Sequence, residues 1–418
     1  MSSSTNTELQ FLITRISLLL LIYSLAITYF PVSKIPTLLL VFGMASSVYK
    51  TSNFKWLINK FINMDLTSER QDIVNAIGSL KRYETLALAW NNHKIRNFKR
   101  VSYEYQKQAI ELGYQDHLNQ TDGCIKNNGD LCRAIAGDAT ARYQINEVEQ
   151  RACLYSQNNS KVIEAITHYA RDWSQLGDDE LKPLMEYIKE NIERNITPED
   201  RKKTVILVPG SGLGRIAYEL ASITGPQFKS VQSIEFSTLM HLCNEFIYSQ
   251  ASKNTTFNLH PYIHTYSHHV TRENHHRHIE LSLHKTKPSN LTTNLADFRK
   301  YQIPDSEKEY ENVVIVTCFF MDTAQNMFEY FKAIESQIKP SQRGIWINIG
   351  PLKYGTAPVV EFSLDEIREL RKIRGWKDID EPMPYGSQMA GYLTDEKGLW
   401  KGYYGLGRWT SVYEGHKK

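Results

Sequence analysis

The stretch Val208-Pro-Gly-Ser-Gly-Leu-Gly-Arg215 decides the fold of this 418-residue chain. It follows the apolar run Thr204–Pro209 and precedes the amphipathic run Arg215–Ile223, so it predicts a tight turn between a strand and a helix. Glycines let the backbone turn sharply and approach a ligand closely, and the start of the helix offers free N–H groups to that ligand. The alternative is a glycine turn that serves only close packing of helix and strand.

Strand and helix patterns alternate on both sides of this turn. Alternation of this kind predicts a parallel sheet covered by helices on both faces, in a Rossmann-like α/β domain over residues 201–418. The polar region Ser252–Lys300 is predicted to be an insertion near the C-terminal edge of the sheet. The other predicted strands lie within Val231–Ser237, Asn312–Asp322, Gly344–Pro351 and Trp409–Tyr413, and the other predicted helices cover Ala324–Ile338 and Ser363–Arg374.

The first 200 residues show two different patterns. Residues 61–200 have helical spacing and predict a helical region, with a polar loop around Gln120–Asp130. Residues 1–60 contain the apolar runs Ile16–Phe30 and Pro36–Tyr49, which predict a membrane anchor that spans once, spans twice or enters as a hairpin. A cleaved signal peptide and a buried hairpin in a soluble protein are the alternatives.

Charge and cysteine usage limit the location and partners of the chain. Basic residues after the second apolar run favour a C-terminal domain that faces the cytosol, with the endoplasmic reticulum among the candidate membranes. The net charge is +3 and the basic residues are scattered, so we expect no nucleic-acid partner. The five cysteines form no Cys-x-x-Cys pair, which indicates free thiols, although a Cys124–Cys132 bridge is an alternative. A homodimer is left open.

An acidic residue closes the strand after the glycine turn. Glu235 stands where a carboxylate can accept hydrogen bonds from both ribose hydroxyls of an adenosine. The spacing Gly-x-Gly-x-Gly is typical of methyltransferases that bind S-adenosylmethionine, whereas a dinucleotide cofactor prefers Gly-x-Gly-x-x-Gly. Downstream, Asp297 and Phe298 could bind the adenine amine and ring; a turn followed by a core phenylalanine is the alternative.

With these residues in view, the chain resembles the carnosine N-methyltransferase family over most of Asn63–Tyr413. The resemblance implies a class I methyltransferase fold and an S-adenosylmethionine-dependent N-methyltransferase. The motifs that carry it are Ala170-Arg-Asp-Trp-Ser174, the glycine turn, Glu235-Phe-Ser237, His260-Pro-Tyr-Ile-His264, Val316-Thr-Cys-Phe-Phe-Met-Asp-Thr-Ala324, Trp346-Ile-Asn-Ile-Gly-Pro-Leu352 and Phe362-Ser-Leu-Asp-Glu-Ile367.

The resemblance also implies a set of cofactor contacts. Arg171 would reach the methionine carboxylate, with a surface ion pair as the alternative role. His168 stands where the family tends to have glutamine. The full predicted set is His168, Arg171, Gly210, Gly212, Glu235, Asp297, Phe298, Ile315 and Cys318.

The implied substrate is carnosine or a related small histidine-containing peptide. Asp322 would hold the imidazole ring as the catalytic residue, with an ordinary helix cap as the alternative role, and Tyr403 and Tyr404 lie near the substrate tyrosines of the family. The family carries a substrate-contacting histidine where this chain has Gly355, which indicates a different or larger acceptor, or weak activity. A catalytically degenerate, membrane-tethered module that only binds the cofactor is the alternative function.

Histidines are frequent between His260 and His278, but we expect no metal site there. His260, His264 and His268 would share one face of a helix, whereas Pro261 and the surrounding β-branched and aromatic residues disfavour a regular helix.

Overall fold

A computed structural model describes residues 2–29, 35–49, 68–152, 158–253, 255–304, 309–355, 357–380 and 388–415. The helices are α1 Ser2–Tyr29, α2 Ile35–Tyr49, α3 Ser68–Phe98, α4 Tyr103–Glu111, α5 Tyr114–Arg142, α6 Glu147–Ala152, α7 Asn159–Trp173, α8 Asp178–Asn195, α9 Arg215–Ala221, α10 Thr238–Ile247, α11 Arg272–His276, α12 Met327–Ser336 and α13 Leu364–Ile373. The strands are β1 Thr204–Pro209, β2 Ser230–Glu235, β3 Thr256–Leu259, β4 Ile279–Ser282, β5 Leu291–Leu295, β6 Asn312–Cys318, β7 Arg343–Gly350, β8 Trp376–Asp378, β9 Met389–Gly391, β10 Tyr403–Gly405 and β11 Gly407–Tyr413. The chain divides into two compact units, one of residues 1–78 and 145–157 and the other of residues 79–144 and 158–418.

The first unit contains the apolar N-terminal runs as two helices that pack against each other. Gly43 of α2 lets that helix approach the side chain of Leu19 in α1. Within the described part of the chain, no helix is long and apolar enough to cross a membrane. The structure therefore does not support the predicted membrane anchor; α2, for example, has 15 residues, whereas a spanning helix needs about 20 apolar ones. Residues 1, 30–34 and 50–60 of the predicted anchor segment lie outside the described residues.

The second unit is built on a seven-stranded sheet in the order β5-β2-β1-β6-β7-β11-β8. The strands from β5 to β7 are parallel, and β11 runs antiparallel to both β7 and β8. Counted within the sheet alone, this is the order 3-2-1-4-5-7-6, a doubly wound sheet with one reversed strand inserted. The prediction of a Rossmann-like α/β fold is confirmed.

Both faces of the sheet are buried, as the continuous apolar runs of its central strands indicate. Alternate residues of β1 enter two different cores, because successive side chains of a strand point to opposite faces. Val205 and Leu207 join the core that contains Trp346 and Trp409. Ile206 and Val208 join the core that contains the inner residues of α8 and α9.

Two predictions about the organisation of this unit are wrong. Residues 291–295, assigned to an insertion, form β5 at the edge of the main sheet, so the insertion ends before Leu291. The expected loop at Gln120–Asp130 is the middle of α5, because Leu118, Thr121 and Ile125 give that polar segment a buried face. Helices of the predicted N-terminal helical region, from residue 79 to residue 144 and from residue 158 onward, belong to the same compact unit as the sheet.

The sheet reverses its strand order between β1 and β6. In open α/β sheets, ligands bind in the crevice outside the carboxyl ends of the strands at such a reversal. Gly210 follows β1 and Phe319 follows β6, so both residues start loops at this crevice. The topology therefore directs attention to the loops after β1, β2, β5 and β6.

Candidate active site

The glycine turn after β1 adopts a backbone that other residues disfavour. Gly210 and Gly212 have φ angles of 63° and 54°, in the left-handed region. A Cβ atom on Gly210 would lie 2.4 Å from the ring of Phe320, whereas one on Gly212 would meet no atom within 4 Å. The Phe320 ring thus occupies the space that a side chain at Gly210 would need, whereas the space beside Gly212 is open.

Glu235 holds the turn from the neighbouring strand. Its Oε2 accepts the N–H of Gly212 at 2.8 Å, and its Oε1 accepts the N–H of Ser237 at 2.7 Å. Burial raises the pKa of Glu235, and the hydrogen bonds from the backbone N–H groups oppose that rise. The carboxylate is therefore fixed in one position at the mouth of the crevice, with lone pairs left for a further donor.

A cleft of about 620 Å³ opens between the ends of β1, β2, β5 and β6. A cavity of this size suits a nucleoside-sized ligand. The structure brings six of the nine predicted cofactor residues to its lining, namely His168, Gly210, Gly212, Glu235, Asp297 and Phe298.

The predicted adenine residues lie directly after β5. Asp297 Oδ2 accepts a hydrogen bond from Arg299 at 2.7 Å, and this bond lowers the pKa of Asp297. The main-chain N–H of Arg299 also donates to Asp297 Oδ1 at 3.0 Å. Phe298 is buried in the core beside Phe320, with the two rings edge to face at 6.0 Å. The turn and core roles of this pair are therefore real, and both residues still line the cleft.

A smaller space of about 60 Å³ shares His168, Gly210 and Gly212 with the main cleft and has Arg171 and Cys318 in its own lining. Arg171 is only 8% exposed. Burial opposes the charge of Arg171, but Asp172, Tyr392, Cys318 and Glu180 outweigh it and raise its pKa. The guanidinium donates to Glu180 Oε2 at 3.1 Å and to Asp172 Oδ1 at 2.9 Å.

The ion pair that was the alternative role for Arg171 is thus present, but it is buried and adjoins the cleft. The guanidinium also lies 4.7 Å from the centre of the Tyr392 ring. A buried, permanently charged group at this end of the crevice can bind a carboxylate of a ligand.

Three predicted cofactor residues, Ile315 and Cys318 of β6 and His168 of α7, differ in their burial and in whether they line the cleft or the smaller space. Ile315 is completely buried in the sheet core and lines neither space, because it lies three residues before the strand end. Burial raises the pKa of Cys318 to about 12, so its thiol stays protonated. Burial lowers the pKa of His168, whose Nδ1 is buried and has no hydrogen-bond partner among the described residues.

The predicted substrate residues lie on the other side of the β6 end. Asp322 belongs to a short 3-10 turn over Met321–Thr323, so it does not cap α12, which Asn326 caps instead. Asp322 Oδ2 accepts the main-chain N–H of Lys353 at 3.1 Å. Burial raises the pKa of Asp322, and the hydrogen bond from Lys353 opposes the rise. Asp322 is not part of the cleft lining, but its neighbour Thr323 is.

Lys353 connects two of the predicted substrate residues. Its ammonium donates to the hydroxyl of Tyr404 at 3.1 Å, while its main chain donates to Asp322. Tyr403 differs from Tyr404, because the residue is 46% exposed and its hydroxyl donates to Glu396. Asp322 and Tyr404 are thus brought together, whereas Tyr403 points elsewhere.

Tyr392, Phe319 and Glu180 are site residues that the sequence pattern did not reveal. Tyr392 and Phe319 stack at 4.9 Å and line both spaces. Glu180 accepts from Arg171 and from the main-chain N–H groups of Leu393 and Thr394. Phe319 had a usable signal, because it lies in the predicted strand run Asn312–Asp322, next to Cys318. Tyr392 is far from the motifs in sequence, and Glu180 lies after the Ala170–Ser174 motif without belonging to it, so neither had one.

Comparison with known proteins adds a family to this geometry. Residues 148–415 match the family model of carnosine N-methyltransferase, which is more than half of the 418 residues. The chain is 28% identical over 355 residues to the carnosine N-methyltransferase of Schizosaccharomyces pombe, covering 78% of this chain and 92% of that protein. It is 27% identical over 359 residues to the carnosine N-methyltransferase of Mus musculus, covering 80% and 84%.

Two further proteins show different coverage. The uncharacterized protein YMR209C of Saccharomyces cerevisiae is 39% identical over 264 residues, a stretch that covers 62% of this chain and 56% of the yeast protein. Among solved structures, the magnesium protoporphyrin IX methyltransferase of Synechocystis with bound SAH shares 12% identity at a TM-score of 0.32, covering 61% of this chain and 95% of that one.

Proposed function

The chain belongs to the carnosine N-methyltransferase family, and we propose that it transfers a methyl group from S-adenosylmethionine to an imidazole nitrogen of a small histidine-containing peptide. Family membership confirms two sequence-based predictions, the enzyme class and the cofactor. The acceptor is the new element of the proposal. The observation that carries it is the position of the half-buried carboxyl of Asp322, next to the cleft-lining Thr323 and joined to Tyr404 through Lys353.

The cleft residues fit the cofactor. Glu235 is a buried carboxylate with lone pairs available for ribose hydroxyls, and Arg171 is a buried cation for the methionine carboxylate. Asp297 and Phe298 would hold the adenine amine and ring. S-adenosylmethionine supplies an electrophilic methyl group on a positively charged sulfur.

Asp322 would orient the acceptor. Its Oδ2 is used by Lys353, so Oδ1 would accept the N–H of the imidazole ring. A neutral imidazole that donates from one nitrogen has its lone pair on the other nitrogen, which is then free to take the methyl group. The ring becomes an imidazolium, and the N–H proton passes to Asp322 or to water. Burial raises the pKa of Asp322, which makes its carboxylate a better proton acceptor.

We expect the acceptor to be larger than one that would fit against a histidine at position 355. A Cβ atom on Gly355 would meet nothing within 4 Å, so this position leaves open space next to Tyr354. A peptide longer than a dipeptide, or one with a bulkier group beside the imidazole, could use that space.

The test is methyl transfer by the purified full chain to carnosine and to longer histidine-containing peptides. We expect turnover on at least one of them and N-methylation of its imidazole in the product. Asp322→Asn should lower kcat by about 100-fold, because positioned proton acceptors contribute at least that much, while the affinity for S-adenosylmethionine stays within about 2-fold of the unmodified protein, since Asp322 lies outside the cleft lining.

Asp179→Asn serves as the matched control, because Asp179 is exposed at the start of α8. Cofactor binding without turnover on any imidazole peptide would contradict the proposal and would favour the degenerate binding module. An unchanged kcat in Asp322→Asn would remove Asp322 from the reaction.

A further inference from the structure

Four histidines of the second unit meet away from the cleft. His117 lies in the first turn of α5, His275 and His276 end α11, and His269 precedes α11. One nitrogen each from His117, His275 and His276 lies within 4.8 Å of the others. His275 is buried, and the other two are half-buried, so one side of this group faces solvent.

The outer nitrogens of two of these rings are fixed by hydrogen bonds. His275 Nε2 lies 3.1 Å from the carbonyl oxygen of Ile263, which can only accept, so Nε2 carries the proton and Nδ1 carries the lone pair. Thr121 Oγ1 donates to the carbonyl oxygen of His117 at 2.9 Å and therefore accepts from His276 Nε2 at 2.8 Å. The lone pair of His276 is thus also on Nδ1.

The nitrogens that remain are close together and poorly satisfied. His117 Nε2 lies 3.1 Å from His275 Nδ1. His117 Nδ1 is buried without a hydrogen-bond partner among the described residues. The same is true of His269 Nδ1, whose ring centre lies 4.5 Å from that of His275. One His–His hydrogen bond therefore joins the facing nitrogens of His117 and His275, while the buried Nδ1 atoms of His117 and His269 have no partner among the described residues.

We propose that His117, His275 and His276 bind a divalent transition metal of the zinc class. Imidazole nitrogens are preferred ligands of Zn²⁺, and a tetrahedral site with Zn–N distances of about 2.0–2.1 Å needs ligand nitrogens about 3.3 Å apart. The His117–His275 separation of 3.1 Å is close to this spacing, and the nitrogen of His276 lies within 4.8 Å of both, so a small shift of the three rings would bring them to it. Water or His269 would take the fourth position.

The carbonyl of Ile263 and the hydroxyl of Thr121 supply the outer contacts that metal-bound histidines usually have. Such partners fix the ring orientation and increase ligand basicity. Next to the site, Arg272 and Glu273 carry opposite charges, so neither sign dominates. Three neutral ligands then leave the charge of the ion to be balanced by the fourth ligand and by solvent.

The other histidines of the same stretch are not ligands. His260 Nδ1 donates to the carbonyl oxygen of His276 at 2.7 Å, and its Nε2 accepts from Asn127 at 3.1 Å. His264 Nε2 pairs with the hydroxyl of Tyr83 at 2.8 Å. The helical face of His260, His264 and His268, considered from the sequence, is thus absent, and the proposed ligands come from α5 and α11 instead.

The metal would join the insertion between β3 and β4 to α5. The insertion has little regular structure apart from the five residues of α11. A metal that links the end of α11, at His275 and His276, to His117 of α5 would therefore fix the path of the insertion. The site is separate from the cleft, and the proposal holds whether or not the chain methylates a peptide.

The test is metal binding by the full chain after dialysis against EDTA. We expect one equivalent of Zn²⁺ per chain by mass spectrometry and competition titration, and a tetrahedral visible spectrum with Co²⁺ in its place. The double variant His117→Ala/His275→Ala should lose the bound metal. Thr121→Val should weaken affinity by about 10- to 100-fold, because it removes the outer partner of His276 and leaves all three ligands in place.

His268→Asn is the matched control, because His268 is exposed and its φ of 67° suits asparagine. It should bind one equivalent with unchanged affinity. If the double variant fails to fold by circular dichroism, Thr121→Val decides the question. Less than a tenth of an equivalent in the unmodified chain, equal affinity in Thr121→Val, or a cobalt–thiolate charge-transfer band would overturn the proposal.

Discussion

Replacing Glu235 by glutamine tests the carboxylate at the centre of the cleft. The two carboxylate oxygens accept the N–H groups of Gly212 and Ser237 at 2.8 and 2.7 Å. In Glu235→Gln one of these oxygens becomes an NH₂ group, so two donors face each other on one side and the negative charge is lost. Hydrogen bonds to charged groups contribute about 1.5–3 kcal/mol.

The loss of that charge should weaken the affinity for S-adenosylmethionine by about 10- to 150-fold, since 1.36 kcal/mol corresponds to a factor of ten. Glu235→Ala should weaken it at least as much, because it removes both acceptors. Isothermal titration calorimetry with S-adenosylmethionine and with S-adenosylhomocysteine measures both changes.

Thermal unfolding must accompany the titration, because Glu235 also stabilises the glycine turn. The unpaired N–H group in Glu235→Gln should cost about 1–3 kcal/mol of folding free energy. Glu186→Gln is the control, since Glu186 is exposed on α8. If a folded Glu235→Ala protein binds the cofactor as tightly as the control does, the assignment of the cleft is refuted.

Three further outcomes follow from the same structure. Cofactor affinity should be full above the pKa of Glu235 and should fall as the pH drops through it. Because burial raises that pKa, the fall should start at a higher pH than for a glutamate with a pKa near 4.5. The affinity of Glu235→Gln, titrated at several pH values, should not change with pH in this range. Gly355→His should fold normally, because the added Cβ meets no atom within 4 Å, and should raise kcat/KM for carnosine by about 5-fold through one added hydrogen bond of about 1 kcal/mol; an unchanged value would show that position 355 is remote from the acceptor. Gly210→Ala should lower Tm and abolish cofactor binding, because its φ is 63° and the new Cβ would lie 2.4 Å from Phe320; a Tm equal to that of Gly355→Ala would contradict the packing argument.

The sequence predicted the centre of the sheet because β1, β6 and β7 are continuous apolar runs next to glycine or proline. β5 escaped prediction because Leu-Thr-Thr-Asn-Leu is polar, short and only partly buried at the sheet edge. The middle of α5 escaped because its buried face includes Thr121 and Asn128, whose burial depends on tertiary partners such as the main chain of His260. Hydrophobic periodicity does not register such contacts.

The same distinction applies to the site. Gly210, Glu235 and Asp297 lie at or just after the carboxyl ends of parallel strands, so the topology alone brings them to one edge of the sheet. Tyr392 reaches Arg171 from a distant part of the chain, and Glu180 reaches it from the next helix, so no spacing rule connects them. The partners, the oligomeric state and the cellular location named from the sequence stay predictions.

The carboxylate of Glu180 accepts three hydrogen bonds, from the guanidinium of Arg171 and from the main-chain N–H groups of Leu393 and Thr394. The position of the Arg171 guanidinium at the cleft and the path of the loop at Leu393 and Thr394 are consequently coupled through Glu180. A ligand that draws Arg171 away from Glu180 would therefore loosen the loop that carries Tyr392. Conversely, a substitution near residue 394 would shift Arg171, where the methionine carboxylate of the methyl donor would lie.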